Sequence, residues 1–173
     1  MTLTYPLLVV TVSATSESVT VFTSMSLTQG VLAQAQALLA GASKQDAHKL
    51  QQIVDKLTDS LDPSLWVDGI HLDPKHGHKV FDLDRDAVAK LMQLNKKSTI
   101  PDATLQGMID SLVQADRILA ENALADAIAA SGNPHKIAQA QSQLAKAAAD
   151  LASGRFDHAI KHYGKAWKKA ESA

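Results

Sequence analysis

The chain has 173 residues, 46% hydrophobic but only 4% aromatic, so a single domain's core must come from Ala, Leu, Ile and Val, a helix-favouring mixture. Its 17 basic and 18 acidic residues are intermixed without a basic stripe, which argues against a nucleic-acid partner. The lack of cysteine removes disulfides, thiolate metal sites and Cys nucleophiles, and no apolar run reaches the ~18 residues of a membrane span.

Charge is unevenly placed. Residues 1–43 carry one charged side chain, Glu17, and every Lys and Arg lies at or after Lys44. Residues 1–28 therefore read as a peripheral segment and residues 29–173 as the helical domain. Three readings of the N-terminal segment stand side by side. Residues 7–12 and 19–24, rich in Val and Thr, suit a strand pair. Tyr5 to Val12 also suits the apolar core of an export signal, with Ala33-Gln34-Ala35 as a cleavage site and a secreted or periplasmic location as the consequence. In the third reading the segment follows from a misplaced start and is disordered.

Gly30 to Ala40 predicts a short helix ending at Gly41. Ser43 then reads as an N-cap with Asp46 three residues on, and Lys44 to Leu61 spaces Leu50, Ile53, Val54 and Leu57 as one apolar stripe. Asp62-Pro63 stops that helix. Residues 62–83 hold two Asp-Pro pairs, Asp68-Gly69 and Gly77, all turn signals, yet also Trp66, Ile70, Leu72, Val80 and Phe81. An ordered loop folded over a helix pair is the expectation.

Asp82 or Asp84 is expected to cap the next helix, which runs to about Asn95. Pro101 opens a long helix from Asp102 to Ser131 with a stripe from Leu105 through Leu112 to Ala127. Gly132-Asn133-Pro134 punctuates the chain, and Pro134 to Ser153 forms a helix presenting Ile137, Leu144, Ala148 and Leu151. Gly154 turns it at once into the last helix, forcing the two antiparallel.

Candidate chemistry is sparse. His71, Asp73, His76 and His78 are the densest set of potential metal ligands, since a loop can fold imidazoles and a carboxylate around Zn²⁺ or Cu²⁺. Asp82, Asp84 and Asp86 echo the start of a calcium loop, but Ala87 and Gln93 stand where Gly and Glu are needed. Carboxylates favoured at a helix start explain them better. His158 and His162 share a helical face with lysines, which disfavours a dication. No nucleophile elbow, P-loop, dinucleotide fingerprint or HExxH occurs, so no catalytic residue and no cofactor is assigned.

Gly154, Phe156, Ala159, Tyr163 and Ala166 lie at offsets 0, 2, 5, 9 and 12. That spacing resembles the tight turn and second helix of a tetratricopeptide-type hairpin, in one copy covering about residues 138–170. From Trp66 onward the chain loosely resembles uncharacterised helical C-terminal modules of secreted bacterial proteins, and this implies no activity. The expectation is an all-α, elongated bundle of about five or six helices. It would serve as a non-catalytic interaction or structural module with a protein partner, self-association included. Metal binding by His71, Asp73, His76 and His78 is the alternative.

Overall fold

The computed structural model describes residues 22–94 and 98–173. Six α-helices follow in order: α1 Ser24–Leu39, α2 Lys44–Ser60, α3 His78–Leu94, α4 Asp102–Ala129, α5 Pro134–Ala152 and α6 Phe156–Glu171. A single 3-10 turn, Pro63–Leu65, lies between α2 and α3. The all-α bundle expected from composition is the fold. The strand and export-core readings of residues 1–21 lie outside the described residues.

The bundle is organised on α4. At 28 residues it spans about 42 Å, and it packs against α1, α3, α5 and α6. Leu105, Met108, Ile109, Leu112 and Leu119 are buried along it. They meet Leu50, Ile53 and Leu57 of α2, Val80, Val88 and Leu91 of α3, and Ile160 and Trp167 of α6 in one continuous core. α5 is peripheral, burying only Ala140, Ala147 and Asp150.

Two boundaries and one buried face differ from the expectation, each for a local reason. α1 begins at Ser24 rather than Gly30, so it crosses the division placed at residue 28. The Thr23 hydroxyl accepts the Ser26 N–H at 3.1 Å and caps it. Ser24, Thr28, Val31 and Ala35 are buried, so the helix face that docks is half polar and escapes a purely apolar periodicity. α3 begins at His78 rather than after Asp82 or Asp84. Gly77 allows this early start: a Cβ there would stand 2.4 Å from the Leu72 Cβ. On α5 the buried stripe passes through Ala147 instead of Ala148, a rotation that turns Asp150 toward Arg155 and His162.

The closing hairpin is antiparallel, as its tight turn requires. Asp150 binds Arg155 at 2.6 Å, Gln143 binds His162 at 2.7 Å, and Lys136 reaches Ser172 at 3.3 Å. Ala159 and Ala166 are fully buried, allowing close helix approach, and Tyr163 and Trp167 fill the packed side.

Candidate functional site

The segment between α2 and α3 is an ordered platform. Leu65, Trp66 and Leu72 are buried in it, while Val67 is exposed. The Trp66 indole N–H donates to the Ser60 carbonyl at 2.7 Å, satisfying its polar edge inside the core. Trp66 and Leu72 face each other in a one-residue antiparallel bridge, closed by the Val67 N–H to the His71 carbonyl at 2.9 Å.

Two successive turns of the form Asp-x-x-His build the loop. The Asp68 carboxylate accepts the N–H groups of Ile70 and His71, each at 2.8 Å, and meets the His71 ring at Nδ1 at 2.7 Å. Asp73 repeats the arrangement five residues later. It accepts the N–H of Lys75 at 3.0 Å and of His76 at 2.8 Å, with His76 Nδ1 at 3.1 Å. These are Asx turns, in which the side chain replaces a backbone acceptor.

The four residues proposed as ligands are thus dispersed. His71 is held by Asp68, and its Nε2 lies 3.2 Å from Asp126 of α4. Asp73 and His76 pair with each other, and His78 lines a separate groove between α3 and α6. Among the described residues no group of three or more His, Asp or Glu side chains is arranged to hold a metal ion. His71 bridges two carboxylates instead. The hydrogen bond to Asp68, with the charges of Asp68 and Asp126, raises its pKa above the usual imidazole value. Glu171 of α6 completes this corner, its carboxyl pKa raised by burial and by Asp126.

A polar feature of the core is absent from the sequence reading. Asp84 of α3 and Asp116 of α4 are both fully buried. Neither carboxylate has a hydrogen-bond partner among the described residues, nor has the buried Ser60 hydroxyl. Burial pushes the Asp84 pKa up to about 7; the Ser60 hydroxyl beside it offsets part of that rise without closing a well-formed hydrogen bond. Asp116 is raised well above the ordinary carboxylate range by burial and by the charge of Asp84. Full burial favours the protonated form of both carboxyls.

Helical spacing could have exposed both. Asp116 stands four after Leu112 and three before Leu119; Asp84 stands three after Phe81 and four before Val88. Each is a carboxylate on an apolar stripe. On α6, His162 faces Gln143 and Asp150. Compared with known proteins, the chain matches no family model, no curated protein and no solved structure.

Proposed function

We propose that the chain is a non-catalytic helical interaction module that receives a protein partner at one end of the bundle, with α5–α6 as a single tetratricopeptide-like hairpin. The grouping of exposed apolar side chains carries this reading. Among the described residues three large hydrophobics are exposed: Phe22 at 63%, Val67 at 67% and Ile128 at 51%. Scattered singly they would need no explanation. All three, however, belong to the end where the loop meets the start of α1 and the end of α4. Phe22 adjoins Thr23, and the Met25 N–H donates to the Gly69 carbonyl at 3.0 Å. Val67 is bonded to His71, which reaches Asp126 in the last turn of α4, the turn that also carries Ile128.

Hydrogen bonds already hold this end in place, so docking there costs little ordering. Each large side chain newly buried contributes about 1.5–3 kcal/mol. Metal binding by the loop is the weaker reading, because its residues are dispersed: His71 reaches Asp126, His76 pairs with Asp73, and His78 lines the groove between α3 and α6.

Quantitative capture from the host, with full-length protein cross-linked before lysis, tests the proposal. One protein should co-purify in stoichiometric amount and fall at least tenfold when Val67→Ser and Ile128→Ser are combined. Equal recovery with the variant, or no stoichiometric partner for either protein, would overturn it.

A further inference from the structure

We infer that the groove between α3 and α6 binds a short acidic segment of a protein in extended conformation. This goes beyond the apolar end and rests on different residues. The groove has a volume of about 170 Å³ and is lined by His78, Phe81, Asp82, Arg85, Gly164 and three lysines, Lys161, Lys165 and Lys168. Gly164 is buried at its floor: a Cβ there would stand 3.0 Å from the Phe81 Cβ, so the glycine lets α6 pack closely on α3 beside the groove. Around it stand lysines three before, one after and four after, which helical periodicity gathers on one face.

Charge decides the class of ligand. Arg85 is engaged by Asp82 at 3.1 Å and Asp86 at 3.3 Å. Lys161, Lys165 and Lys168 are exposed and form no ion pair among the described residues. The groove wall on α6 therefore presents three cations, in a chain whose net charge is −1.

Size and reach narrow the choice further. The volume is below the roughly 300–1,000 Å³ of small-molecule pockets. Lys161 to Lys168 covers about 10 Å of helix, far short of the six to ten phosphate contacts typical of nucleic-acid binding. An extended segment matches better. Its alternate side chains point the same way about 6.7 Å apart, close to the rise of about 6 Å from Lys161 to Lys165. Glutamates or aspartates at alternate positions would meet Lys161 and Lys165.

The test uses full-length protein and a fluorescein-labelled peptide of glutamates alternating with serines, followed by anisotropy. Binding should be saturable and weaken at least tenfold in the Lys161→Glu, Lys165→Glu double variant, while Lys44→Glu on α2 leaves it unchanged. Both groove lysines are solvent-exposed, and circular dichroism checks that the variant is folded. No saturable binding, or equal binding by the groove variant, would overturn the inference. So would tighter binding of inorganic polyphosphate or of phosphatidylserine vesicles, which would mark a general anion surface. Because the apolar-end variant keeps the groove, its failure to capture a partner leaves this result untouched.

Discussion

Ser131 sits in the left-handed region at φ 55°, and Gly154 does so at φ 69°. Both follow a helix and serve the same cap. Gly132 N–H donates to the Ala127 carbonyl at 2.8 Å and Ser131 N–H to Ile128 at 3.0 Å; Arg155 donates to Asp150 at 2.9 Å and Gly154 to Leu151 at 2.9 Å. Each pair is a Schellman motif, whose left-handed position favours glycine. The α5–α6 turn has that glycine and the α4–α5 turn has a serine one residue ahead of it. Gly132 is needed for another reason: a Cβ there would come within 2.9 Å of the Ala127 carbonyl oxygen. Relieving a β-carbon of the left-handed conformation is worth about 1 kcal/mol, offset in part by the entropy that glycine adds to the unfolded chain. Ser131→Gly should therefore raise unfolding stability by about 0.5 kcal/mol and Gly154→Ala lower it by about 1 kcal/mol, as read by urea denaturation. The Gly-Asn-Pro run marked the turn correctly from the sequence, but which residue takes the positive φ depends on where the helix ends, and that is set by packing.

At the scale of elements, the loop from Asp62 to Gly77 shows both the reach and the limit of sequence reading. Turn signals interleaved with apolar residues implied an ordered cover, and Leu65, Trp66 and Leu72 anchor it. The histidines invited a metal, and the shorter repeat, Asp-x-x-His twice, describes the turns in which two of them sit. Spacing within the turn was legible; the tie of His71 to Asp126, 55 positions on, was not, because nothing local encodes it. That tie titrates. The pKa of His71 is raised in the folded protein, so its contribution is fully present below the ordinary imidazole value and is lost as pH rises through the folded-state value. Asp68, Asp126 and Glu171 are the groups that face it. Hydrogen exchange of residues 67–72, corrected for intrinsic rates, should show weaker protection at about pH 8.5 than at about pH 5.5. His71→Gln should abolish that difference; an unchanged difference would mean that His71 is not its source.

For the whole molecule, the balance of stability against pH turns on Asp84 of α3 and Asp116 of α4, both buried in the core. Their pKa values are raised, so folding favours the protonated forms. Their contribution is greatest below the unfolded value of about 3.8 and declines as pH climbs toward about 7, beyond which the Asp84 term is flat. This opposes Asp68, Asp73 and Asp150, whose pKa values are lowered by hydrogen bonds from Ile70, His76 and Arg155 and whose contributions fade in acid. Wild-type stability alone therefore mixes two slopes, and the difference between variant and wild type isolates the buried pair. Asparagine keeps the shape of a protonated carboxyl and cannot ionise. Asp84→Asn with Asp116→Asn should match wild type near pH 4 and exceed it near pH 8, by at least about 1 kcal/mol, because both carboxyls have raised pKa values in the folded protein. Denaturant unfolding at the two pH values measures this. A double variant less stable than wild type at pH 8 would mean that the ionised carboxylates hold α3 to α4, and the polar centre of the bundle would then be a binding arrangement rather than a tolerated cost.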